Sequence, residues 1–370
     1  MVPARLEFWR ATRGGVALGM SAQGLARGVA NGLGAATLFG VSTPLAKLLL
    51  PSSGPFMLAG LLYLGAGLGL TIVMPLRRGG REAPLRREDL PTLAGMVIAG
   101  GIAGPLLLLL GLARLPGSEA SLLLNLEAPL TIGIAVLLFG EFLSRREVLG
   151  AAAIVGGGIL LAAGSSESGA HLLGALAVAG ASLAWAFDNN LSQRLSLRDP
   201  VAVTRVKALV AGGVNVGIAL AMGGRFPASA SLAAALATGF LGYGVSIVLH
   251  LLALRHIGTA RQAAYFATAP FIGAVASVPI LGERLGVKEI GAGVLMALGV
   301  AVLVRARHGH RHEHEAAEHE HSHVHDEHHG HQHVGDAPVE PHSHSHRHAP
   351  MTHDHAHQPD PHHRHPHHRH

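Results

Sequence analysis

Cysteine is absent from the whole chain. Its absence removes disulfides, thiolate metal ligands and cysteine nucleophiles together. Charge is scarce as well: 14% of residues are Asp, Glu, Lys or Arg, where a soluble domain carries about 25%. No nucleophile–base constellation or catalytic metal motif is visible, so an enzyme is not expected. No glycine cluster follows a strand, which leaves no dinucleotide or phosphate loop. The alternation of apolar and polar residues that a membrane barrel requires is also lacking. What the chain has instead is a 49% hydrophobic composition and a mean hydropathy of +0.37. Apolar runs of roughly 20 residues, the bilayer-spanning length, recur between short polar breaks. In lipid such runs must satisfy their own backbone, so they are read as helices. The sequence pI near 10.2 comes largely from basic residues in the breaks between runs. Membrane orientation explains that distribution without nucleic acid.

One stretch organises the rest. Residues 125–141 run from Asn125 and Glu127 through Pro129 and an apolar segment to Gly140-Glu141. A related stretch runs from Phe266 through Pro270 to Gly282-Glu283-Arg284-Leu285. Around these, ten spans are expected at 31–50, 55–74, 91–113, 118–140, 147–164, 171–191, 201–222, 231–254, 259–281 and 287–304. A basic leader occupies 1–27, a first five-helix repeat 28–164, a polar linker 165–170, a second repeat 171–304 and a tail 305–370. The repeats align at an offset of 141: Arg114 and Gly117 fall on Arg255 and Gly258, Pro129 on Pro270, and Gly150 on Gly291. Five spans is an odd number, so the second copy enters the membrane from the opposite side. The expected fold is thus all-α integral membrane, two inverted five-helix repeats, with a disordered tail.

Charge gives the orientation. With the N-terminus inside, the cytoplasmic segments hold the leader arginines, the cluster from Arg77 to Arg87, Arg145, Arg146, Arg194, Arg198, Arg205, Lys207, Arg255, Arg261 and Arg305 onward. The outside keeps Lys47, Arg114, Arg225, Arg284 and Lys288. The positive-inside rule therefore puts both termini in the cytoplasm of a plasma (inner) membrane protein. Glycines at 65, 67, 69, 156, 157, 158, 291 and 293 are read as close helix–helix approaches.

With these residues in view, the chain resembles the drug/metabolite transporter superfamily, in its EamA-type branch, over about 28–304. The resemblance rests on the two five-span halves, on the signatures Pro129…Gly140-Glu141 and Pro270…Gly282-Glu283, on Gly150 and Gly291, and on Trp185-Ala186. It implies secondary transport by alternating access, often export, through a cavity between the halves.

An ionisable group inside a bilayer costs several kcal/mol and is rarely present without a partner or a role. Glu127, beside Pro129, is read as a proton-coupling carboxylate or as a partner to a cation on another helix. Asp188, Asn189 and Asn190 form the most polar cluster in any span, with Ser42 and Thr43 as a loose counterpart in the first half. Arg205 and Lys207 are read as reaching for the cytoplasmic interface, the other reading being that Lys207 neutralises Asp188 or Glu127. Asn215 is deeper and reads as cavity-lining. His250 reads as a packed histidine before a ligand. Glu141 and Glu283 read as structural anchors.

The tail differs in kind. All but His171, His250 and His256 of the 28 histidines lie from His308 onward. His308, His310, His312, His314, His319, His321, His323, His325, His328, His329, His331, His333, His342, His344, His346 and His348 alternate with polar residues. With almost no apolar residues the tail is expected to be disordered. Imidazoles at this spacing suit Ni, Zn, Co or Cu collectively. No cofactor is required. The partners expected are a small-molecule or ion substrate, the lipid bilayer and a second copy of the chain.

Two functions compete: a proton-driven metabolite exporter whose tail buffers metal, and a divalent-cation transporter whose tail gathers cargo. A membrane metal sensor would leave the duplicated body unexplained. The topology is testable. Reporter fusions after residues 52 and 167 are expected to report outside, and a cytoplasmic signal at either breaks the inverted repeat.

Overall fold

In the computed structural model, residues 22–73, 83–139, 144–163, 168–195, 198–257 and 259–305 are described, together with tail segments 308–314, 317–323, 342–348 and 351–357. Among the described residues ten long helices fill the body. They are α1 (Ala22–Ser53), α2 (Pro55–Val73), α3 (90–112), α4 (117–139), α5 (Arg145–Ala162), α6 (Ser168–Ser192), α7 (Pro200–Ala221), α8 (229–257), α9 (259–281) and α10 (Val287–Arg305). Helix α1 begins inside the expected leader and α6 inside the expected linker, so both of those segments are shorter than the sequence implies. Gly140 and Glu141 lie outside the described residues.

Among the described residues nine helices are long and apolar enough to cross a membrane; α5 is not among them. It opens on Arg145, Arg146 and Glu147. That leaves 148–162, roughly 22 Å of helix at 1.5 Å per residue, against a hydrocarbon core of about 30 Å. Of the ten expected spans, nine are met by such helices and the one expected at 147–164 is not. Its N-terminus is nevertheless well made. Ser144 Oγ accepts from Glu147 N at 3.3 Å, and Glu147 Oε2 accepts from Ser144 N at 2.8 Å, the reciprocal capping box.

Several helices are not regular. Helix α3 contains a π turn over Val97–Ala103, and α8 contains one over Phe240–Val245. Moved by the 141-residue offset, the first falls on 238–244 and overlaps the second. Before Pro129, α4 tightens to a 3₁₀ turn over Leu124–Leu126, and before Pro270, α9 breaks at 267–268. Proline has no N–H to give, so the turn preceding it loses a regular hydrogen bond. Gly282 ends α9 with φ of 70°, a left-handed cap that suits glycine.

The helices pair across the sequence: α2 with α7, α5 with α10, α1 with α8 and α9, and α6 with α3 and α4. Small residues set the closest pairs. A Cβ on Gly60 would lie 2.7 Å from Val216 N, and one on Gly212 would lie 2.7 Å from Leu64 N. In the α5–α10 pair, a Cβ on Gly150 would lie 2.9 Å from Gly299 O. Of the glycines marked from sequence, Gly157 meets Met296, whereas Gly291 has open space.

The tail corrects an expectation. It carries β1 (His308–His314), β2 (Ala317–His323), β3 (His342–His348) and β4 (Met351–His357), with β1 antiparallel to β4 and β2 to β3. Alternating histidine is a period-two pattern, the period at which side chains alternate along a strand. The register sets histidine against histidine, as in His310↔His355 and His321↔His344. His325, His328, His329, His331 and His333 lie outside the described residues.

The packing prediction uses two adjacent glycines. Gly212→Ala drives a methyl into the α2 backbone and is expected to cost about 1–3 kcal/mol. Gly213→Ala has nothing within 4 Å and is expected to be near neutral. Thermal unfolding in detergent reads the difference.

Candidate functional site

The polar interior is assembled where α6 crosses α3, α4 and α7. Three consecutive helical positions point about 100° apart, so Asp188, Asn189 and Asn190 address different neighbours. Lys207 of α7 donates to Asp188 Oδ2. Asn189 Nδ2 donates to Glu127 Oε1 at 2.7 Å. Asn190 Nδ2 donates to Ala186 O at 2.8 Å and reaches Thr131 O at 3.2 Å. The two pairs are joined through α6, where Asp188 and Asn189 are adjacent in the chain.

Lys207 therefore does not reach for the interface. Its side chain is 14% exposed and that of Asp188 is 9%. An ammonium this deep is tolerated because a carboxylate neutralises it. The other oxygen of Asp188, Oδ1, is buried without a hydrogen-bond partner among the described residues.

The π turn of α3 supplies the rest of the frame. Gly100 O accepts from Tyr63 Oη at 2.6 Å and from Trp185 Nε1 at 3.0 Å. Gly101 O accepts from Asn215 Nδ2 at 3.1 Å. A π turn releases carbonyls from the regular ladder, and here three side chains from α2, α6 and α7 take them up. Gly100 also lets Asp188 lie against α3: a Cβ there would fall 2.7 Å from Asp188 Cβ. Tyr63 and Trp185 were not singled out as site residues. Their signal was available in the cost of burying a phenol or indole N–H unpaired.

A cavity of about 200 Å³ lies beside this frame, lined by Tyr63, Met96, Ser192, Leu195, Val203, Thr204, Lys207, Tyr243 and Ile247, among others. Of the sequence candidates only Lys207 lines it. Asn215 is fully buried on α3 and is an anchor. Asn125 bonds Leu122 O and contacts Met296 in the core. Ser42 Oγ returns to Phe39 O at 2.6 Å, and Thr43 is buried nearby on α1. His250 Nδ1 lies 3.0 Å from Gln262 Nε2, with its ring edge-on to Phe266, which is the packed role expected of it. Glu283 is tied to Gly117 and Ser118. No group of three or more His, Asp or Glu that could hold a metal occurs among the described residues.

Among the described residues the chain is a multi-pass helical bundle with a buried Lys207–Asp188 ion pair, while the Glu127–Asn189 contact is exposed at the helix surface. The chain belongs to the EamA-like transporter family, whose family model matches residues 26–163 and again 172–305. It is 31% identical over 284 residues to an uncharacterized transporter of Methanothermobacter thermautotrophicus, covering 72% of this chain and 82% of that protein. It is 26% identical over 249 residues to the uncharacterized inner membrane transporter YedA of Escherichia coli K12, covering 66% and 78%. A solved crystal structure aligns with a TM-score of 0.57 and 20% identity over 75% of this chain and 97% of that one, a likeness of fold alone. The chain is accordingly a membrane transporter and not an enzyme, and its family implies a small-molecule substrate.

The ion pair has a measurable cost. Lys207→Met alone leaves a buried carboxylate and is expected to destabilise by about 3–5 kcal/mol. Adding Asp188→Leu is expected to return most of that loss. A double mutant no more stable than Lys207→Met would mean the pair is not formed.

Proposed function

We propose that the chain is a secondary transporter that exports a small organic solute by alternating access, its two halves forming inverted repeats with both termini in the cytoplasm. The observation that carries this is the buried Lys207–Asp188 ion pair, whose lysine lines a mostly apolar cavity of about 200 Å³. Such a lining suits an organic solute with one polar group. A dehydrated divalent ion needs several convergent imidazole or carboxylate ligands, and the described interior offers no such group. Duplication of the half is supported by the twice-matched family model, the overlapping π turns and the two proline breaks; inversion follows if each half crosses the membrane five times.

Glu127 is the acid suited to carry a proton. Among the described residues its hydrogen-bond partner is the neutral amide of Asn189, whereas Asp188 is held by a cation. An amide can donate to a carboxylate and accept from a carboxylic acid, so the contact survives either protonation state. Glu127→Gln would then impair transport while leaving expression intact.

The tail reads as a metal-binding appendage for Ni, Zn, Co or Cu. The cross-strand histidine register is compatible with shared ligation.

A deletion strain grown across organic and metal toxicity panels, with cellular metal measured in parallel, tests the reading. Sensitivity to an organic solute, restored by the full chain and by a chain lacking 308–370, is the expected result. A change in metal content restored only by the full chain would favour a metal transporter with a cargo-gathering tail. Truncation is expected to abolish most Ni and Zn binding by calorimetry and leave the body inserted. Unchanged stoichiometry would put the main metal site in the membrane.

A further inference from the structure

The geometry points to Glu283 as the residue that holds one end of the transport pathway shut, by clasping the α9–α10 connection to the start of α4. The inference rests on the alternating-access reading. Gly282, in its left-handed conformation, turns the chain at the end of α9. Glu283 Oε1 then accepts from Gly117 N at 2.6 Å, and Oε2 accepts from Ser118 N at 2.9 Å and Ser118 Oγ at 2.8 Å. Lys47 Nζ of α1 lies 3.8 Å from Glu283 Oε1 and also donates to Leu115 O. The fit leaves no slack: a Cβ on Gly117 would fall 2.6 Å from Leu281 Cδ1 and 3.0 Å from Ser277 Oγ.

A second acid draws in the neighbouring ends. Glu119 lies 2.9 Å from His171 Nε2 at the start of α6 and 3.5 Å from Lys288 Nζ at the start of α10. Lys288 also donates to Leu161 O of α5 at 3.0 Å. Two carboxylates on one end of the bundle thus gather α1, α4, α5, α6, α9 and α10.

The opposite ends of α3, α6 and α7 contribute Met96, Ser192, Leu195, Val203 and Thr204 to the cavity. The bundle is tied at one end and holds its cavity toward the other. That is one of the two states an alternating transporter must visit, and leaving it requires Glu283 to release Gly117, Ser118 and Lys47. Glu283 acts on the solute only through α4 and α9, so it is a positioning residue.

The native chain has no cysteine, so one engineered thiol is an unambiguous reporter. Ser121 is buried under the clasp, where α4 meets α9, and Ser192 lines the cavity. Ser121→Cys is probed with a membrane-impermeant maleimide on intact cells, and Ser192→Cys with the same reagent on inverted vesicles. Adding Glu283→Ala is expected to raise labelling at position 121 about tenfold or more and lower it at 192, a shift of population between two states. A general loosening raises both and overturns the proposal, as does no change at either. Should Glu283→Ala fail to insert, Ser118→Ala, which removes one of the three hydrogen bonds, carries the test with a rise of a few-fold at 121. Labelling requires no solute, so a failed toxicity panel with reciprocal labelling would sink the transport reading and leave the clasp standing.

Discussion

The constraint on which the rest of this structure depends is that hydrocarbon offers no hydrogen bonds. Each buried polar group must find its partner within the protein or carry its full desolvation cost. Regular helix meets this at most positions. The exceptions are the π turns of α3 and α8 and the proline breaks of α4 and α9. At the α3 turn Tyr63, Trp185 and Asn215 converge on two freed carbonyls. The irregularity and the polar side chains around it are one device, since neither is tolerable in lipid without the other.

Much of the fold was legible for the same reason. Apolar runs have a length dictated by the bilayer, and polar breaks mark their ends, so the spans sit within a few residues of the observed helices. Pro129 and Pro270 announced their breaks because a missing N–H has the same consequence in any context. The weak point was α5. Its hydropathy suggested a span, yet Arg145, Arg146 and Glu147 spend its first turn on capping and charge. The tail erred in the other direction, since composition speaks to the lack of an apolar core and not to the period-two pattern that its strands use.

The site was legible in composition and not in pairing. Asp188, Asn189, Asn190, Glu127 and Lys207 stood out because charge and amide are expensive in a span. Which joins which depends on the rotation of α6 against α4 and α7, which no local pattern fixes. Lys207, eight residues into α7, looked close enough to the interface to snorkel; Asp188 turned it inward. Glu283 was legible as an anchor but its partners were not, because Gly117 and Ser118 are 166 and 165 residues away.

The pairing has a consequence for how such a bundle moves. Glu283 and Glu119 are held at one end by cations and amides from several helices, while Asp188 is held by Lys207 nearer the cavity. Separating Lys207 from Asp188 in their buried setting strands a charge, so that pair favours a discrete arrangement over a continuous range. Water or solute entering the cavity removes that penalty for Lys207 and Asp188 first, because Lys207 lines the cavity wall. The Glu283 clasp is at the other end and loses nothing when the cavity fills. On the alternating-access reading proposed above, a solute would bias the opening through the contact of α6 and α7 with α3 and α4, whose first turn Glu283 holds. Gly100 and the π turn of α3 lie at that contact, whereas Gly60, Gly212 and Gly150 close the α2–α7 and α5–α10 pairs.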